Sequence, residues 1–415
     1  MLVGALGYVA AAVMTGAAAL TARLCPTTGM VTADPAFAGL DLAEVGDLVF
    51  GGWDVRPGSP LESARALFSR NPALTGDLLQ PLTGTLDEAA AWIRPGYLPE
   101  ESARSSPAGA LDRVRRGTPL TILAGLRRDI RDFRTAHRLQ SVVVVNLAST
   151  EATPAAPPPV DFAGLCACLR QEGAGQLPAS TLYAWAAIQE GCPYLNFTPS
   201  AAALPAGLVQ RAEDLGVPVM GNDGKTGETL VKSALLPLFR SRNLEVLSWE
   251  GFNLLGNQDG QTLQEPGSRQ AKVRSKDGLV GAILGYQPHS GVHIHYVPSL
   301  DDQKTAWDFI HFRGFLGARM SLQFIWQGFD SLLAAPLVLD LVRLADLARR
   351  RGEGGLMPHL AFFFKAPLGT TEHRLAEQYA MLLEHVGEAG SASPLFHDRR
   401  VREPQSKAKS IFEHS

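Results

Sequence analysis

The chain has 415 residues, of which 46% are hydrophobic and 19% charged, with a formal net charge of −3 and a pI near 6.4. That length suggests two or three domains with a large core, and the composition excludes wholesale disorder; without a global positive field, general nucleic-acid binding is not expected. Four cysteines (Cys25, Cys166, Cys168, Cys192) are too few for a disulfide scaffold and fit a reducing cytoplasm.

Residues 1–22 carry no charge. A membrane or targeting segment is disfavoured there: no basic residue precedes the apolar stretch, and Ala, Gly and Thr dominate it. Strand–turn–helix is the alternative. Leu2 and Val3 end a short strand, Gly4 to Ala10 form a turn, and Ala11 to Leu20 form a helix of small residues. Gly4, Leu6, Gly7, Tyr8 and Val9 would then be the cofactor-binding candidates, their amides approaching a pyrophosphate at a helix N-terminus. The spacing of Gly4 and Gly7 departs from a full dinucleotide fingerprint, so a purely structural turn and a targeting segment both stay open.

Leu48-Val49-Phe50 reads as a second buried strand, followed by Gly51-Gly52-Trp53-Asp54. Asp54 is a ribose-binding candidate that comes later than the usual spacing. Residues 119–138 form an amphipathic helix with Leu123, Leu126, Ile130, Phe133 and His137 on one face and arginines opposite. Ser141 to Asn146, with four consecutive valines, reads as a buried parallel strand. Ser149 and Thr150 follow at its carboxyl end, where open α/β sheets place ligands. Residues 152–160 are a Pro-rich loop. Cys166-Ala167-Cys168 lacks the spacer of a zinc or redox pair and reads as packed structure.

Val217 to Met220 is another short strand, leading into Gly221-Asn222-Asp223-Gly224-Lys225-Thr226-Gly227 and a helical run containing Lys232. A strand, a Gly-rich turn and a helix start can cradle an anion, although the spacing is not that of a Walker A loop; a capped tight turn is the plain alternative. Asn257, Lys272 and Lys276 come next, then short strands and turns over 271–315 that include Asp301, Asp302 and Lys304. His293 and His295 share one strand face, but with no third ligand in sight no metal is expected. Ser321 to Arg351 reads as mostly helical, with Pro336 starting or kinking a helix. Lys365 follows three phenylalanines, as a buried acid or base or as a lysine that snorkels from an apolar strand. The tail from Asp398 is polar.

The basic residues are 30 Arg but only 8 Lys, and six of the lysines lie between 225 and 365. In an Arg-rich chain, lysines survive best where a compact ammonium with a shiftable pKa is needed.

Seven strings resemble the inositol-3-phosphate synthase (myo-inositol-1-phosphate synthase) family: LVFGGWDV at 48–55, GNDGKTGETLVKS at 221–233, GFNLLGNQDG at 251–260, KVRSKD at 272–277, VPSLDDQKTAWDF at 297–309, SLLAAPLVLDL at 331–341 and FFFKAPL at 362–368. They run in family order over nearly the whole chain. The glycine-rich turn is reduced to the 4–10 string, and Glu228 stands where many members have Gln.

The resemblance implies an α/β fold: a Rossmann-type NAD-binding domain (1–222 and 305–415) with an inserted α+β catalytic and oligomerisation domain (223–304), assembled as a cytoplasmic homo-oligomer, commonly a tetramer. It implies an isomerase that closes a sugar 6-phosphate into a cyclitol through oxidation at C5, enolisation, intramolecular aldol attack and re-reduction, with NAD recycled and neither nucleic acid nor membrane as partner. Glucose 6-phosphate is the first expected substrate. Fructose 6-phosphate, which would give a five-membered ring, is the second, and a silent NAD-binding protein is a distant third. By the resemblance Lys232, Lys365, Lys276, Lys304 and Asp302 are catalytic. Lys225, Thr226, Gly227, Asn257 and Lys272 bind substrate, and Asn222 and Asp223 join Gly4, Leu6, Gly7, Tyr8, Val9, Asp54, Ser149 and Thr150 around the cofactor. Lysines suit a phosphate, an enolate oxygen and an aldol alkoxide alike.

Overall fold

A computed structural model describes residues 1–71, 74–99, 113–151, 158–170, 177–256 and 279–387. Seven short parallel strands make the first sheet: β1 (Leu2–Val3), β2 (Gly52–Asp54), β3 (Ile93–Pro95), β4 (Val144–Asn146), β5 (Tyr194–Asn196), β6 (Pro218–Gly221) and β11 (Gly355–Leu356). Their order is β11-β6-β5-β4-β1-β2-β3, so the winding reverses between β1 and β4. In such sheets ligands bind outside the carboxyl ends of the strands at that reversal.

Helices cover both faces. On one lie α1 (Tyr8–Thr21) and the long Asp330–Arg350 helix, α6; on the other lie α3 (Pro119–Ala136) and α4 (Ala179–Gln189). The alanines of α1 are buried, so that helix sits close on the sheet. Between α1 and α3, α2 (Pro60–Ser69) starts with a full capping box of Ser59 and Glu62, with Pro60 at its first position. In α3 the expected apolar stripe is buried through Ile122, Leu126, Ile130 and Phe133. His137 caps the helix end instead, with its ring 4.8 Å from Trp92 and 4.9 Å from Phe133. The cysteine pair lies in the Phe162–Arg170 helix.

The second sheet has four longer strands in the order β10-β9-β7-β8: β7 (Glu245–Leu255), β8 (His289–Tyr296), β9 (Gln303–Arg313) and β10 (Arg319–Phe329). The Gly227–Ser241 helix, α5, packs against it through Leu236 and Phe239, over Trp249 and Ile310.

Three expectations need correction. The second strand of the first sheet is not Leu48–Phe50 but Gly52–Asp54. Its start is set by pairing with the two-residue β1: a Cβ on Gly52 would fall 1.9 Å from the Leu2 carbonyl oxygen, so only glycine fits beside it. Residues 319–329 are a strand, not a helix. There Leu322, Phe324 and Trp326 alternate with the more exposed Ser321, Gln323, Ile325 and Gln327, a period of two that outweighs the apolar content suggesting a helix. For the same reason 289–313 holds two long strands rather than short pieces. Residues 304 and 305 both lie in β9, and the second sheet runs on to Phe329.

Candidate active site

At the carboxyl end of β1 the chain turns through Gly4 to Gly7. Gly4 has φ +78°, and a Cβ there would lie 2.8 Å from Ala148 Cα in the loop after β4, so the position demands glycine twice over. Asp54, at the end of β2, accepts the Leu6 N–H at 2.8 Å and binds the Arg56 guanidinium at 3.0 Å. It holds the turn in shape. Gly7 is extended and no side chain caps α1, whose first turn holds no acid. The amides of Tyr8 and Val9 therefore open the positive end of a 14-residue helix at the reversal point of the sheet. These residues fit the pyrophosphate of a dinucleotide such as NAD. Ser149 is exposed and Thr150 half-buried on the facing loop.

A ladder of buried amides runs from this edge across the strand ends. Asn146 Oδ1 accepts the Ala148 N–H at 3.3 Å, Asn146 Nδ2 donates to Asn196 Oδ1 at 3.1 Å, and Asn196 Nδ2 donates to Asn222 Oδ1 at 2.6 Å. Asn222 is thus tied to the loop after β4 by two asparagines, Asn146 and Asn196. Each ends an apolar strand (VVVVN, YLN), and that is the signal for them in the sequence.

Beyond Asn222 lies the lysine junction. Residues 363–368 zip onto 221–225 through backbone bonds: Lys225 N–H to Phe363 O, Lys365 N–H to Asp223 O, Asn222 N–H to Ala366 O and Leu368 N–H to Gly221 O. This ladder carries Lys365 to Asp223, with Nζ 2.9 Å from Oδ1. Lys304, near the start of β9, reaches Asp330 at the start of α6 at 3.1 Å; Thr226 Oγ1 donates to the other oxygen of Asp330 at 3.4 Å. Trp326 Nε1 is buried without a partner among the described residues and lies 3.4 Å from where a Cβ on Gly227 would stand.

Asp302 is 1% exposed and accepts the Ser331 hydroxyl at 2.6 Å. Burial pushes its carboxyl up to about 6 against that hydrogen bond. Lys232 is sealed between Glu228 at 2.7 Å and Asp308 at 3.3 Å, under the Trp249 ring. Burial opposes its charge, but the two carboxylates outweigh burial and hold the ammonium above its ordinary value. Gly251 leaves the room: a Cβ there would lie 2.8 Å from Glu228 and 3.2 Å from Lys232 Nζ.

Lys225 differs from the other three. Its Nζ meets the neutral carboxamide of Gln378, on the Leu375–Val386 helix, α7, and no carboxylate pairs with it among the described residues. Burial alone lowers it to about 7. Gln378 Nε2 in turn donates to the Glu372 carbonyl at 2.6 Å, which fixes the amide with its oxygen toward the lysine.

Lys225, Thr226, Gly227, Lys232, Asp302, Lys304 and Lys365 therefore lie around one strand-to-helix junction. Asn257, Lys272 and Lys276 lie outside the described residues. Asp330, Asp308 and Gln378 were not singled out from sequence, although Asp308 stands out as a carboxylate at an inward position of an apolar strand.

A family model described as myo-inositol-1-phosphate synthase matches residues 1–386. Inositol-3-phosphate synthase 1 of Bacteroides thetaiotaomicron is 32% identical over 344 residues, covering 80% of this chain and 78% of that protein. Inositol-3-phosphate synthase 1 of Rattus norvegicus is 35% identical over 356 residues, covering 80% of this chain and 62% of the rat protein, which is therefore matched over less than two-thirds of its length. The fold is similar to the crystal structure of inositol-3-phosphate synthase from Caenorhabditis elegans, with a TM-score of 0.81 and 25% identity over 94% of this chain and 85% of that one.

Proposed function

The chain belongs to the myo-inositol-1-phosphate synthase family, and from that premise we propose that it closes glucose 6-phosphate into an inositol phosphate. Its cofactor is NAD, which when bound supplies the acceptance of a hydride from C5 and its return at the end. In this reading the substrate phosphate sits on the Gly227 turn, among Lys225, Thr226, Lys304 and the unpartnered Trp326 N–H. By the resemblance, Asn257 and Lys272 join in binding substrate and Lys276 in the chemistry. Lys365 passes a proton to its ion-pair partner Asp223 as it takes that of the C5 hydroxyl, and the transfer reverses at the last step. A C5 ketone acidifies C6, and the ammonium of Lys232 stabilises the oxyanions of the enolate and the aldol step. Asp302, raised by burial, exchanges a proton beside Lys304.

One observation carries this reading: four lysines, each largely withdrawn from water, converge on the 223–232 segment, and one of them lacks a counter-charge there. A buried lysine that meets only a neutral amide, beside three already paired ones, suits a small anionic ligand. We extend the proposal to a homotetramer built on the outer face of β9 and β10, where Trp307 and Ile325 stand opposite each other and exposed. No helix among the described residues is long and apolar enough to cross a membrane.

The test is ring closure followed by NMR, using purified protein, a trace of NAD and carbon-labelled sugar phosphates. Glucose 6-phosphate should cyclise without net NADH. Closure of fructose 6-phosphate alone would replace the substrate and keep the chemistry. NADH accumulating one-for-one with product, or equal turnover of the unphosphorylated sugar, would overturn the reading.

A further inference from the structure

Away from the lysine junction, three side chains from separate elements meet. Glu353 lies in the turn after α6, His359 in the Pro358–Phe363 turn of helix, and His385 in the last turn of α7. One ligand atom of each lies within 4.8 Å of the others, and Glu353 Oε2 is 3.4 Å from His385 Nε2. The two imidazoles stack nearly parallel, at 6°, with centroids 3.5 Å apart. Two half-buried imidazoles in face contact beside a carboxylate gain little from one another. The 3.4 Å between Glu353 Oε2 and His385 Nε2 is already the spacing of two corners of a tetrahedral site, where metal–ligand distances are about 2.0–2.2 Å.

We propose that Glu353, His359 and His385 bind one zinc-class divalent ion, with a tilt of the rings bringing their nitrogens onto the metal and water taking the fourth position. Two histidines and a carboxylate form a hard-to-borderline donor set that suits Zn²⁺ rather than Ca²⁺ or Mg²⁺. The site sits away from the lysines, yet both of its histidine segments lead to Lys225. The His359 segment ends at Phe363, whose carbonyl accepts the Lys225 N–H. The helix of His385 carries Gln378 seven residues earlier, two turns away on the same face, and Gln378 holds the Lys225 Nζ. The ion is a clip that fixes the backbone and side-chain supports of Lys225 against each other. His359 and His385 are thus positioning residues, and the absence of nearby ligands in sequence explains why the motif does not show there.

The test uses the full chain, stripped with a chelator, desalted and titrated with zinc alone. Calorimetry and elemental analysis should give one zinc per chain and a higher Tm on binding. His359→Ala and His385→Ala should each weaken zinc binding at least the ~100-fold that loss of an outer-shell partner can cost. His289→Ala, at an exposed histidine, should change nothing. Removing zinc should raise KM for the sugar phosphate more than it lowers kcat. Should a variant fold poorly, cobalt in the wild-type protein gives an independent readout: the visible bands of a tetrahedral nitrogen–oxygen site, bleached by zinc. No zinc bound by the wild type, binding unchanged in both histidine variants, or a cobalt spectrum of the hexa-aqua ion would each overturn the proposal.

Discussion

At the end of β1 the groups open to a ligand are backbone amides, on a turn shaped by glycine and pinned by Asp54. At the end of β6 they are ammonium groups on long side chains, held by carboxylates and one carboxamide. Both sites are a strand followed by a turn and a helix, in one sheet. The first is made by what the side chains leave out, and the second by what they bring. A backbone site tolerates many side chains but not a Cβ in the wrong place. A site of buried charges tolerates no lost partner, because a carboxylate left alone out of water costs more than the pair was worth.

The largest effect that this difference predicts is at Lys232. Lys232→Ala should lower kcat at least ~100-fold, the usual scale for losing acid–base or oxyanion help. It should also cost about 3–5 kcal/mol of stability, because Glu228 and Asp308 lose their buried counter-ion. Lys365→Ala should lower kcat as far with a smaller loss in Tm, since it strands only Asp223. Adding Glu228→Gln and Asp308→Asn to the Lys232 variant should recover Tm and not activity. Thermal melts with steady-state assays check this. Near-wild-type kcat in either single variant would show that its lysine only supports the fold.

At the other edge, Gly4→Ala is the sharper probe. The left-handed backbone alone costs roughly 1–2 kcal/mol with a Cβ, and contact with Ala148 adds to it. The turn should shift, and NAD should bind about 10-fold or more weakly in calorimetry. The sugar-phosphate KM at saturating NAD should stay near that of the wild type. A loss confined to the sugar phosphate would reverse the roles assigned to the two edges.

The same contrast explains what could be read from the sequence. Short buried strands and an Ala-rich helix announce themselves locally, so β1, α1, β4 and β6 stand close to where the residues put them. β10 does not: its alternation is hidden by Ile325, a large apolar residue on its exposed face, and by Met320, which lies open to water at the start of the inner face. Motif resemblance gathers Lys225, Lys232, Lys304 and Lys365, but apart from Glu228 their partners come from other segments. Asp330 takes Lys304 because β9 pairs with β10 and sets Lys304 opposite Gly328, and Gln378 takes Lys225 beside the turn that the 363–368 segment pairs with. Glu228 gains its sense in the same way. It places a carboxylate one helical turn from Lys232.

The smallest predicted effect is the most specific, because it concerns Lys225, where the two kinds of site meet. Its ammonium is buried like the other lysines, yet its partner is a neutral amide, so burial brings it to about 7. In the free enzyme it loses its proton as pH rises through that value. If a cationic Lys225 receives the phosphate dianion, kcat/KM should fall above about pH 7, by up to ~10-fold per pH unit, while kcat stays flatter because bound phosphate restores the charge. Lys225→Arg, which stays charged throughout, should remove that limb even if its bulk lowers the plateau. Stability gives a second readout with a fixed sign. A lysine whose folded pKa lies below its unfolded one penalises the fold fully below about 7, and the penalty fades as pH rises toward 10.5. Lys225→Met should therefore gain most in Tm, relative to wild type, at pH 6, with the gain shrinking by pH 9. A Tm difference that grows with pH, or a kcat/KM limb that survives in Lys225→Arg, would mean that another group titrates there and that Lys225 carries its charge through a counter-ion.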